Sequence, residues 1–312
     1  MFGTNGALVT CYTAPAFLLL DRFLATTRRA FSCGLDPGAA AVRSCGTVIL
    51  CVLCLLPTSL SAQTVGGTRA RMVVPRDYGV LTAFRTVLDL SHLAGSDADA
   101  RFNWDVDVGL DVDLFDVGFV RGNLLAGFET IVGQELRLVD PNQNNYVIDL
   151  SLFARLPRGE IGGTFHHVSR HLGDRADPGF AVAWNMVGVS YGDRFTVGPL
   201  RVAAGVRAMG TIQRAGVDYT AQLEWFADLE LPITPRVSVA GAAEWDVVPV
   251  DRQMLGRTTR HGGLASGGVR FPTRAGAIDL YAGWERRIDA GQFSREAARW
   301  FRLGLRLRTP VR

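Results

Sequence analysis

Between Phe102 and Leu114 the chain alternates with a period of two. Phe102, Trp104, Val106, Val108, Leu110, Val112 and Leu114 are interleaved with Asn103, Asp105, Asp107, Gly109, Asp111 and Asp113. Successive side chains of a strand point to opposite faces, so this run has one apolar and one acidic face; a helix would scatter the aspartates around its circumference. The run outlasts the ~5–6 residues of an average soluble strand. It fits the roughly 9–11 residues that a tilted strand needs to cross a bilayer.

The same signature recurs along the chain and predicts twelve strands. The first runs from about Tyr78 to Leu90, with Val80, Phe84 and Leu88 opposed to Arg85 and Asp89, and the third ends near Ile131. A long loop holding Asp140-Pro141-Asn142-Gln143, typical turn residues, precedes a fourth strand with Tyr146, Ile148, Leu150 and Leu152 on one face. The fifth covers Glu160 to Ser169, and the sixth sets Phe180, Val182, Trp184 and Met186 on one apolar face. Leu200, Val202, Ala204 and Val206 oppose Arg201 and Arg207 in the seventh. Tyr219, Leu223, Trp225 and Leu229 oppose Gln222, Glu224, Asp228 and Glu230 in the eighth. The ninth turns Val237, Val239 and Trp245 outward, the tenth is glycine-rich, and the eleventh carries Ile278, Leu280 and Trp284 outward. In the twelfth, Phe301, Leu303, Leu305 and Leu307 oppose Arg302, Arg306 and Arg308.

An even strand count, with short turns after even strands and longer loops after odd ones, predicts an all-β fold. Residues 78–312 read as an antiparallel up-and-down transmembrane β-barrel. A soluble β-protein is the alternative, but it would not need so uniformly apolar an outward face. Trp104, Trp184, Trp245 and Trp284 share apolar parity near the outer ends of their strands, as an aromatic girdle requires. On the other face, Asp105, Asp107 and Asp111 are expected to look across strand one at Arg302, Arg306 and Arg308. In a narrow barrel such charges pair and fill the lumen. A filled barrel with a structural or binding role is the first expectation, and a narrow solute channel an alternative.

Composition narrows this picture. The net charge of +3 gives no basic excess for a nucleic-acid surface. All five cysteines (Cys11, Cys33, Cys45, Cys51, Cys54) precede residue 55. Thr47 to Pro57 is a short apolar run, preceded by Arg43 and followed by Ser59-Leu60-Ser61-Ala62-Gln63, the layout of a secretory signal cut near Ala62. The run is short for a spanning helix of ~20 residues. Residues 1–41 ahead of it read either as the product of a misplaced start, with initiation at Val42, or as a genuine extension using Phe17 to Leu20. Residues 1–62 are therefore extension plus signal, and 63–77 a polar lead-in. The expected address is the bacterial outer membrane. Its lipid and lipopolysaccharide, and the barrel-assembly machinery during insertion, are the expected partners, with no nucleic acid, cofactor or metal.

One local cluster has chemical character: Phe165-His166-His167-Val168-Ser169-Arg170-His171-Leu172-Gly173-Asp174. His167 and Ser169 share the parity of Ile161 and Phe165, so both face outward at the outer end of strand five, where the imidazole can act as base for the hydroxyl. Asn144 on the neighbouring strand, or Asp174 in the loop, is the candidate orienting group. The bland reading makes the histidines polar residues beside lipid headgroups. No alternating pair among His166, His167 and His171 has an acidic ligand on its own face, which argues against a metal. This His-x-Ser pair resembles that of outer-membrane phospholipase A and lipid A deacylase, and the resemblance implies a lipid esterase. A longer stretch, H-V-S-R-H-L-G-D with the C-terminal G-Q-F…R-W-F-R-L-G-L, resembles an uncharacterised family of bacterial outer-membrane barrels catalogued as a domain of unknown function. That resemblance covers about Ala70 to Leu307 and puts His167, Ser169, His171, Leu172, Gly173, Asp174, Gly291, Gln292 and Phe293 on the family's motifs. It implies a barrel and an address but no established activity.

Overall fold

The computed structural model describes residues 73–95, 100–176, 181–291 and 295–309. The signal segment, its cleavage point, the five cysteines, Phe180, Gln292 and Phe293 lie outside them. Twelve strands close into one antiparallel barrel, each pairing with its sequence neighbours and the first with the last. They are β1 (Gly79–Ala94), β2 (Trp104–Asp116), β3 (Val120–Gly133), β4 (Asp140–Arg155), β5 (Glu160–Leu172) and β6 (Val182–Val197). The second half holds β7 (Leu200–Ala215), β8 (Ala221–Thr234), β9 (Val237–Val248), β10 (Arg260–Thr273), β11 (Gly276–Arg287) and β12 (Ala298–Arg308). A single helical turn, α1 (Arg252–Leu255), sits in the β9–β10 connection. Among the described residues no helix is long and apolar enough to cross a membrane.

The connections are asymmetric. On one end they span only 117–119, 156–159, 198–199, 235–236 and 274–275; on the other, 95–103, 134–139, 173–181, 216–220, 249–259 and 288–297. The first end carries both ends of the barrel chain. Alternation sorts the side chains: Leu150 and Leu152 on β4, Val187 and Val189 on β6, and Leu303 and Leu305 on β12 are exposed to the outside. Asp105, Asp107, Glu129, Glu285 and Arg302 on the opposite parity are buried within the barrel. An exterior of this kind is unfavourable in water and favourable in hydrocarbon.

The lumen has three layers. Towards the long-loop end an apolar cluster includes Trp184, Met186, Met209, Val217, Tyr219, Val248 and Ile288. Behind it Arg207 reaches Asp149 at 2.8 Å and Glu224 at 2.6 Å, and at the short-turn end Arg121 reaches Asp113 at 2.6 Å and Glu160 at 2.9 Å. Towards the short-turn end a cavity of about 600 Å³ is lined by Arg85, Asp111, Arg194, Asp228, Glu230 and Arg270, among others. Over the long-loop end, Arg257 hydrogen-bonds to Asp218 at 3.0 Å and to Asp289 at 2.6 and 2.9 Å, and the Tyr219 hydroxyl donates to Asp289 at 2.6 Å. Desolvation alone would lower the Arg257 guanidinium, but the hydrogen bonds to Asp218 and Asp289 outweigh it and hold it above the ordinary arginine value.

Three expectations are corrected. Asp140 to Gln143 belong to β4 rather than to a loop: the strand outruns its apolar section, Asp140 is held by Arg175 and the Asn142 amide donates to the Arg101 carbonyl. Trp184 does not join the girdle. With Val182 and Met186 it points into the lumen, 2% exposed, stacked edge-on against Tyr219. Tyr219 itself precedes β8 and is fully buried. Trp104, Trp245 and Trp284 keep the outward parity, Trp104 edge-on to His92 and Trp245 tilted against His261.

One glycine decides whether the barrel closes near its last seam. Gly276 has φ +148°, and a Cβ there would lie 1.7 Å from the Arg308 carbonyl oxygen. Gly276→Ala therefore meets backbone strain of about 1–3 kcal/mol in addition to the clash. The variant is expected to lose most of the folded, heat-shiftable band on cold gel electrophoresis.

Candidate functional site

β5 is the polar strand of the exterior. Its odd positions run Ile161, Gly163, Phe165, His167, Ser169, His171 and face outward, whereas His166 and Arg170 face the lumen. There the His166 ring contacts Asp149 at 2.5 Å, and Arg170 donates to the Asp289 carbonyl at 2.5 Å. Apolar residues give way to polar ones towards the long-loop end, where headgroups would meet the barrel.

Registers with the flanking strands fix who meets whom. His167 lies opposite Asn185 on β6, and Asn185 opposite Gln213 on β7. The His167 Nδ1 is 2.6 Å from Asn185 Oδ1, and the Asn185 amide donates to Gln213 Oε1 at 2.8 Å. With the amide so placed, Asn185 presents its oxygen to the ring, an arrangement that suits the tautomer with its proton on Nδ1. The Ser169 hydroxyl meets the other histidine, His171, whose Nε2 lies 3.2 Å away. His171 stacks edge-on against Tyr146 at 5.3 Å. Ser169 thus stands between one histidine in contact and one that is oriented.

The orienting group differs from the sequence expectation. Asn144 lies opposite His171, not His167, and its side-chain oxygen accepts from the Thr130 hydroxyl at 3.0 Å. Asp174 is drawn away by Arg137. Asn185 was missed because the sequence turns the Trp184 row outward and so puts Asn185 in the lumen, and because strand parity does not give inter-strand register; the structure reverses that face.

The neighbouring motif residues lie at the end of β5 and in the connections. Gly173 donates its N–H to the Asn142 carbonyl at 3.0 Å, and a Cβ there would come within 2.8 Å of the Pro141 carbonyl. Leu172 ends β5, and Gly291 is buried in the β11–β12 connection. Of the lumen charges, Arg302 reaches Asp105 at 3.2 Å and Asp107 at 3.7 Å. Arg306 pairs with Asp89 at 2.5 Å, Arg308 with Asp279 at 3.1 Å, and Asp111 with Arg85 at 3.2 Å.

Closed sheet, apolar exterior and asymmetric connections define a membrane-spanning β-barrel. No family model and no curated protein matches this chain. Solved structures with similar folds include the Salmonella typhi outer membrane phospholipase, a dimer with bound calcium, at 13% identity over 73% of this chain and 90% of that one, TM-score 0.46. The Escherichia coli outer membrane phospholipase A matches at 12% identity over 72% and 92%, TM-score 0.46. The Acinetobacter baumannii outer membrane protein Omp33 matches at 12% over 73% and 97%, TM-score 0.34. Identities and scores at this level leave the chemistry to the chain's own side chains.

Proposed function

We propose that the protein is an integral outer-membrane barrel with a structural or binding role that does not conduct solutes. The observation that carries this reading is the apolar cluster of Trp184, Met186, Met209, Tyr219 and Ile288 across the long-loop end of the lumen. Water-filled pores line their interiors with polar groups, whereas here the apolar layer is backed by paired charges. Planar-bilayer recording of the refolded barrel tests it. No stepwise conductance is expected at moderate voltage, and discrete single-channel steps would overturn it.

A second reading is favoured by the Ser169–His171 contact and the oriented His167 at the level of the lipid headgroups: hydrolysis of acyl esters in outer-membrane lipid or lipopolysaccharide. The serine oxygen would attack the ester carbonyl as its proton passes to an imidazole. The alcohol then leaves with that proton, and water releases the acid from the acyl-serine. Lipid mass spectrometry on proteoliposomes tests it: acyl chains released by the wild type and not by Ser169→Ala support the activity, and no release from folded wild type removes it.

A further inference from the structure

Asp105 and Asp107 on β2 and Glu129 on β3 form a carboxylate cluster inside the barrel, on the other side of the wall from the Ser169 site. They are 0%, 0% and 2% exposed, and one carboxylate oxygen from each lies within 4.8 Å of the others. Their placement is imposed by register: Asp107 lies directly opposite Asp89 on β1 and Glu129 on β3, giving three carboxylates in one row across the sheet. Like charges directly opposite one another are destabilising, so something must hold the row together.

Among the described residues the arginines that reach this row are too few. Arg287 reaches Asp105 at 2.8 Å, Glu129 at 3.0 Å and Glu285 at 2.8 Å; Arg302 reaches Glu285 at 2.8 Å and Asp105 at 3.2 Å. Asp89 is already taken by Arg306. Asp105, Asp107, Glu129 and Glu285 thus set four carboxylates against two guanidiniums. Asp107 is the least compensated: among the described residues neither of its oxygens accepts a hydrogen bond, and Arg302 stands 3.7 Å away. An uncompensated charge in a desolvated interior is costly enough that it is paired, neutralised or bound to a metal.

We propose that the Asp105–Asp107–Glu129 cluster binds one hard divalent cation, Ca²⁺. The deficit is two charges, which one such ion cancels and which protonation would cancel only by neutralising two of the carboxylates. Calcium takes oxygen ligands at ~2.3–2.6 Å, so ligands around one ion stand no more than roughly 5.2 Å apart, a limit the three carboxylates meet; it accepts an all-protein oxygen set, whereas magnesium keeps several of its own waters, for which a sealed cluster has less room. Because the ligands are sealed from solvent, the ion enters as the barrel folds and ties β2 to β3.

Native mass spectrometry of the folded full-length barrel, refolded in detergent with Ca²⁺ and then desalted, tests the site, alongside thermal unfolding of protein refolded with Ca²⁺ or with chelator. One retained Ca²⁺ per wild-type chain is expected, with none in Asp107→Asn, and an unfolding midpoint lowered by chelator in the wild type only. Glu129→Gln is the second variant should Asp107→Asn fail to fold, with at least a tenfold loss of calcium affinity. Folded wild type without an ion, or equal retention in both variants, overturns the proposal. An Asp107→Asn barrel that is more stable than wild type, with neither responding to calcium, also overturns it, because it identifies a proton in the cation's place.

Discussion

Arg302→Ala is expected to destabilise the folded barrel by about 3–5 kcal/mol, the cost of leaving buried charges without their partner. The Arg302 side chain is 1% exposed and holds three elements together. It donates to Glu285 on β11 at 2.8 Å and to Ser91 on β1 at 3.0 Å, and approaches Asp105 on β2 at 3.2 Å. Removing it leaves Arg287 alone among the remaining carboxylates. Arg201→Ala is the control. Its side chain is 65% exposed and meets Glu230 at 3.4 Å, and such a surface pair contributes about 0–1 kcal/mol. Urea unfolding from lipid vesicles, followed by tryptophan emission and gel mobility, separates the two. Similar midpoints for both variants would show that the lumen pairs do not set stability.

The outward site makes the second large prediction, conditional on acyl release by the wild type. Ser169→Ala abolishes release, and the histidines then divide the base role. His171 is in contact with the hydroxyl, so His171→Ala is expected to lose about 10²–10⁴-fold, the usual worth of a positioned general base. Asn185→Ala leaves both ring nitrogens of His167 in place but frees the ring. If His167 is the base that swings to Ser169 when lipid binds, that variant loses up to about 10²-fold from misplacement and His171→Ala is the milder of the two. Rates measured on identical vesicles at equal amounts of folded barrel decide between the imidazoles. Equal rates in all four proteins would remove the site from the chemistry.

The architecture was legible because a bilayer demands alternation over a long strand, and β2 shows it without interruption from Trp104 to Leu110. Parity told which residues share a face, but not which face meets lipid where both carry apolar residues. On β6, Val182, Trp184 and Met186 formed the more conspicuous row, yet Val187, Val189 and Tyr191 are the exposed ones. The inward row is apolar because it caps the lumen, a tertiary requirement with no local signature. The candidate site was half legible for a related reason. The His-x-Ser spacing is local to β5, whereas the Asn185 contact depends on the connection 173–181 delivering β6 in one register. Asp140 to Gln143 read as a turn because their side chains favour turns; in the fold those side chains serve as anchors for Arg175 and the Arg101 carbonyl.

The pairing of β1 with β12 bears on how the barrel is made. Asp89 meets Arg306, and the Thr86 carbonyl accepts the Thr309 N–H, across more than two hundred residues of sequence. Every other strand pair joins neighbours in the chain and can form as soon as its hairpin is available. The terminal pair alone has to wait for synthesis of the whole domain, and its loop-closure entropy is the largest of any strand pair among the described residues. Until that moment β1 and β12 are open edges, ready to accept a foreign strand. Hairpin zippering should therefore be fast and insensitive to Asp89 or Arg306, with ring closure the slow step that both residues accelerate.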